Sequence, residues 1–122
     1  MAGNKQFGER IRQLREEKKQ SDPRFSLRRF AEAVDLSPTF LSKMELGEFD
    51  PPRPDKIKKM AELLGVNADE LLALADKVDP ALSEIIKEQP VAMADFLRTA
   101  RDVNLSEEEL RKLTNRLRRQ KE

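Results

Sequence analysis

At 122 residues the chain has room for one compact core with an appendage, well short of two full-sized domains. It contains no cysteine, histidine or tyrosine, which excludes disulfide frameworks, thiol nucleophiles, histidine proton transfer and ordinary zinc sites, so no enzyme, metal or cofactor is expected. The net charge of +1 is unevenly spread: residues 1–60 carry 14 Lys and Arg against 10 Asp and Glu, residues 61–104 carry 4 against 9, and a local basic excess of this kind is what phosphates attract.

Helical spacing governs the chain from its start. Phe7, Ile11 and Leu14 recur between charged residues in FGERIRQLREEKK and predict an amphipathic first helix. Ser21, Asp22 and Pro23 mark a loop, after which Ser26 is placed to cap a short helix, LRRFAEAVD, with Leu27, Phe30, Ala31 and Val34 as its buried stripe. Asp35 and Leu36 leave only a brief turn before Ser37. Its hydroxyl suits the cap of a third helix, and Pro38 follows at the first helical position, where a missing N–H is no loss. In that helix Leu41 and Met44 face the preceding helix, Thr39, Ser42 and Lys43 lie on the other side, and Gly47 is a stop with positive φ. In KIKKMAELLGVNADELLAL, Met60, Leu63, Leu64, Leu71, Leu72 and Leu74 supply two further stripes, separated by Gly65, and Asn67 with Glu70 predicts a capping box.

Two short helices joined by a tight turn, the second presenting small donors and acceptors from its first turn, make a helix-turn-helix. The stretch FSLRRFAEAVDLSPTFLSKMELGEFDPPRPDKIKKMAELLGV resembles the phage-repressor-like (Cro/C1, XRE-type) helix-turn-helix transcriptional regulators, over roughly residues 7–75. Ala31, Val34, Leu41, the SPTFLSK run and Glu45 before Gly47 carry the resemblance. It implies an all-α fold: a five-helix lambda-repressor-like DNA-binding domain, expected over residues 1–78, whose second motif helix lies in the major groove of double-stranded DNA. Ser37, Pro38, Thr39, Ser42 and Lys43 match the family's exposed positions on that helix and are the candidate base contacts, although Ser37 and Pro38 are equally explained as a cap. The hydroxyls of Thr39 and Ser42 donate or accept, and Lys43 suits guanine O6 and N7 or a phosphate. Candidate phosphate contacts are Ser26, which matches a family position at a helix start, Arg28 and Arg29 beside it, Phe40 at the interface edge or in the core, and Arg53 and Lys56 after the recognition helix. Glu45 reads as structural. Two departures from the family pattern are the long link KKQSDPRF and the lengthened loop FDPPRPD.

Residues 79–122 are too apolar for a linker. Asp79 and Pro80 start a helix holding Leu82, Ile85 and Ile86, and Pro90 opens another with Met93, Phe96, Leu97 and Ala100 on one side. In LSEEELRKLTNRLRR, Ser106 and Glu109 form a capping box, Leu105 and Leu110 a hydrophobic staple, and Leu110, Leu113 and Leu117 a narrow stripe. Helices this short need their apolar faces covered. A lone helix-turn-helix reads half a site, so this C-terminal helical extension is expected to serve homodimerisation through Ile85, Ile86, Met93, Phe96, Leu97, Leu110, Leu113 and Leu117; folding back on its own domain is the alternative. The function so implied is a sequence-specific regulator, most simply a dimeric repressor at an inverted-repeat operator, often its own. The tail also resembles that of regulators encoded beside ImmA/IrrE-type metallopeptidases, which makes such a peptidase a candidate protein partner. An antitoxin whose tail binds a toxin is the alternative, and an interaction module without DNA binding a third. With no basic-then-apolar leader and no apolar run long enough for a bilayer, a cytoplasmic, nucleoid-associated protein without membrane contact is expected.

Overall fold

Asn4 begins the first helix and fixes where it sits. Its Oδ1 accepts the Phe7 amide at 2.9 Å, and its Nδ2 donates to the Leu74 carbonyl at 2.8 Å, tying the start of α1 (Lys5–Lys19) to the end of α5 (Ala68–Leu74). The computed structural model describes residues 3–121, and every regular element among them is helical. Between α1 and α5 lie a single 3-10 turn (Pro23–Phe25), α2 (Leu27–Ala33), α3 (Pro38–Glu45) and α4 (Pro54–Leu64). Three further helices follow, α6 (Pro80–Glu88), α7 (Pro90–Asp102) and α8 (Glu107–Gln120), and the chain divides into two compact units after Pro80.

The first unit is built on the apolar stripes of five helices. Phe7, Ile11 and Leu14 of α1 meet Phe30 and Ala31 of α2, Leu41 and Met44 of α3, Ile57, Met60 and Leu64 of α4, and Leu71 and Leu72 of α5, all buried in one cluster. Each large side chain buried this way stabilises the fold by about 1.5–3 kcal/mol. The long link between α1 and α2 is part of that core. Asp22 caps the 3-10 turn by accepting the Arg24 amide at 3.0 Å, and the turn drives Phe25 inward to stack on Phe30, with ring centroids 5.9 Å apart. The Arg24 guanidinium bonded to Asp22 holds that carboxyl down at about 2.

Gly65 stops α4 with φ +72°, and Asn67 then caps α5 by accepting the Glu70 amide at 3.0 Å. Only this half of the expected capping box forms; the Asn67 amide does not donate to the Glu70 carboxylate. In α8 both halves are present: Ser106 Oγ accepts the Glu109 amide at 3.1 Å and Glu109 Oε1 accepts the Ser106 amide at 3.0 Å.

The second unit differs in kind. None of the described side chains of α6, α7 or α8 is buried. Leu82, Ile85, Phe96, Leu97, Leu110 and Leu117 are each at least 42% exposed.

Candidate nucleic-acid interface

The turn between α2 and α3 is made by backbone hydrogen bonds. At the end of α2 the Asp35 amide donates to the Glu32 carbonyl at 3.1 Å and the Leu36 amide to the Ala31 carbonyl at 2.8 Å, a Schellman closure with Asp35 at φ +59°. Aspartate tolerates that left-handed conformation better than most residues. Lys56 of α4 secures it, donating from Nζ to the Asp35 carbonyl at 2.8 Å and to Asp35 Oδ2 at 3.1 Å. Ser26 and Ser37 cap the two motif helices, accepting the Arg29 amide at 3.3 Å and the Phe40 amide at 3.0 Å.

What holds α3 in place is its contact with α1. Gly8 lies where α1 crosses the end of α3, so close that a Cβ there would strike the carbonyl oxygens of Met44 and Glu45. One turn pair further along α1, Arg15 donates from Nε and Nη2 to the two carboxylate oxygens of Glu45 at 2.8 and 2.9 Å, and from Nη1 to the Phe25 carbonyl at 3.1 Å. The fork matches the carboxylate geometrically, and Glu45 raises the Arg15 pKa further above its ordinary value. Leu41, Met44 and Glu45 of α3 are turned inward and buried.

The opposite side of α3 is where most expected base contacts converge. Thr39 and Lys43 are exposed and Ser42 is half-buried between them, three positions at i, i+3 and i+4 that share one face. Ser37 is exposed and Pro38 half-buried at the same end, both engaged in the cap. The basic candidates are more scattered. Arg28 and Arg29 are exposed on α2, Arg28 within 3.7 Å of Glu32; Arg53 is exposed and 3.5 Å from Asp55; the Lys56 ammonium is taken up by Asp35. Phe40 is half-buried against Phe49, with centroids 5.6 Å apart. Of the apolar residues expected at a dimer surface, Ile85, Phe96, Leu97, Leu110 and Leu117 are exposed, and Ile86, Met93 and Leu113 half-buried.

Four features escaped the sequence reading. Arg12 and Lys19 of α1 line an open cleft with Arg15, Glu16, Leu27, Ser42, Glu45 and Leu46, and Arg12 lies 3.9 Å from the Glu16 carboxylate. Arg15 is a second, and its signal is a charged residue on the apolar side of α1, one position past Leu14, which calls for a buried partner. Phe25 and Phe49 are aromatics in loops, and neither periodicity nor capping singles out such residues.

The site offers hydroxyls, amides and ammonium groups and no nucleophile paired with a base, an inventory for recognition. Among the described residues no group of three or more Asp and Glu is placed to hold a metal, and no helix is long and apolar enough to cross a membrane. An all-helical fold with a capped two-helix motif and a polar face on its second helix is the architecture of a helix-turn-helix DNA-binding regulator. A model of the helix-turn-helix domain family matches residues 8–77, more than half of the chain, and the chain belongs to that family. No curated protein matches it in sequence. Among solved structures it is similar to the clp gene regulator ClgR from Corynebacterium glutamicum, at 25% identity over 80% of this chain and 88% of that one, with a TM-score of 0.48. It is also similar to the SinR protein/SinI protein complex, at 23% identity over 94% and 97% of the two chains, with a TM-score of 0.47.

Proposed function

We propose that the protein is a repressor that binds an inverted-repeat operator as a homodimer, its own promoter among the targets. The observation that carries this reading is the face of α3 formed by Thr39, Ser42 and Lys43, on a helix that the Arg15–Glu45 pair ties to α1. A helix fixed by its inner face and polar on its outer one is suited to the major groove, where hydroxyls and an ammonium meet base edges. The exposed Arg28 and Arg29 of α2, and Lys19 of α1, are the groups offered to phosphates.

The dimer follows from α6–α8. Apolar side chains this exposed, in a unit with no buried residue among those described, need a covering surface, and a second copy supplies it together with the second half-site. Residues 79–122 are then the dimerisation region and residues 1–78 the reading head.

Selection of duplexes from a randomised library by the purified protein tests the proposal. Enrichment of an inverted repeat with half-sites centred about one helical turn apart is the expected outcome. Recovery of unenriched sequence, or of a single half-site bound by one chain, would overturn it.

A further inference from the structure

After α3 the chain doubles back over the last turn of its own helix. Gly47, at φ +81°, makes the reversal, after which the Glu48 amide donates to the Lys43 carbonyl at 2.9 Å and the Phe49 amide to the same carbonyl at 3.4 Å. This lays the Phe49 ring alongside the outer face of α3, tilted 49° against Phe40. Lys43 Nζ lies 5.6 Å from the centre of the Phe49 ring, within the range of a cation–π contact. Phe49 is 39% exposed, so burial alone does not account for an aromatic at this point.

We infer that Phe49 is a positioning residue for Lys43, holding the ammonium at one place on the recognition surface so that it distinguishes base edges; the inference rests on the DNA-reading role proposed above for α3. A free lysine turns about four bonds and follows the nearest phosphate whatever the sequence, whereas a lysine laid on a ring presents its donors to one position. Phe40 packs against the same ring, with centroids 5.6 Å apart, and Pro51 and Pro52 restrict the loop that carries it. An exposed contact of this kind is worth about two- to fivefold in affinity.

The test uses the duplex enriched in the selection above and a set of duplexes with each base pair replaced in turn, bound by wild type, Lys43→Ala, Phe49→Leu and the double variant. Leucine keeps an apolar side chain against Phe40 and removes only the ring. The expected result is that Phe49→Leu relaxes discrimination at the same base pair as Lys43→Ala, by about two- to fivefold. The double variant should then bind no worse than Lys43→Ala, and Phe49→Tyr should retain wild-type discrimination. If Phe49→Leu weakens every duplex alike, or its penalty multiplies with that of Lys43→Ala, the inference is overturned.

A second measurement needs no DNA. In the free protein the Lys43 Hε protons should be shifted upfield by the ring in wild type and Phe49→Tyr, and unshifted in Phe49→Leu. Unshifted protons in wild type would overturn the inference directly. A wild type that shows the shift yet prefers no duplex would instead remove the sequence-reading role, so the two failures are separable.

Discussion

The guanidinium of Arg15 and the carboxylate of Glu45 form a two-pronged ion pair at 2.8 and 2.9 Å, each side chain 4% exposed, and this pair joins α1 to the inner face of the recognition helix. Two buried charges satisfy each other here; removal of Arg15 leaves Glu45 without its cation, and removal of Glu45 leaves Arg15 with only the half-exposed Glu16 carboxylate at 3.5 Å and the Phe25 carbonyl. Arg15→Ala or Glu45→Ala should therefore lower the unfolding free energy by about 3–5 kcal/mol in urea titration, whereas the paired change Arg15→Met with Glu45→Leu should lose far less. Single losses below about 1 kcal/mol would show that water reaches the pair and that α3 is held by its apolar contacts alone.

Gly8 makes a sharper case because helix propensity and packing disagree in sign. In an exposed helix interior, glycine to alanine is a gain of about 1 kcal/mol. Here the new methyl meets the carbonyls of Met44 and Glu45, so Gly8→Ala is expected to destabilise by about 1–3 kcal/mol and to weaken DNA binding by displacing α3. Thermal unfolding of the variant decides between them: a raised melting temperature would mean that the two helices separate without loss.

Lys56, a candidate phosphate contact, also bonds within the protein. Its ammonium holds the left-handed turn at Asp35, and Lys56→Ala should cost about 1–2 kcal/mol of stability through a lost charge-assisted hydrogen bond. The slope of log K against log salt should hold steady in Lys56→Ala and shrink by about 1 in Arg29→Ala. A reduced slope for Lys56→Ala with unchanged stability would reassign the ammonium from the turn to a phosphate.

Much of this architecture is written in local signals. Ser26, Ser37, Asn67 and Ser106 each cap the helix that follows them, as capping chemistry requires, and Gly47 and Gly65 take the positive φ that ends α3 and α4. The polar face of α3 was legible for a related reason: Leu41 and Met44 account for one side of the helix and leave Thr39, Ser42 and Lys43 for the other. What escaped were contacts between residues far apart in the chain. The Arg15 pairing spans thirty positions, the Lys56–Asp35 bond twenty-one, and no periodicity encodes a partner at such distances. Phe25 and Phe49 belong to the same category, since each takes its meaning from a ring or a cation brought alongside by the fold.

The exposed apolar faces of α6–α8 give the dimer proposal its own test. Leu117 is 60% exposed, so an aspartate placed there meets water in a monomer and an apolar surface in a dimer. Leu117→Asp together with Phe96→Asp should shift the sedimenting mass from two chains to one while the first unit keeps its helicity. A variant that remains dimeric would move the contact off these helices.

The most direct test of the central claim is binding of the purified protein to its own upstream DNA and to a random duplex, across a range of salt concentrations, with the mass of the free and bound species recorded. The expected result is a preference of about a thousandfold or more for one inverted repeat, bound by two chains. Equal, weak and steeply salt-dependent binding to both duplexes would contradict self-repression, and if no duplex from the randomised selection fared better, the face of Thr39, Ser42 and Lys43 would not be reading sequence.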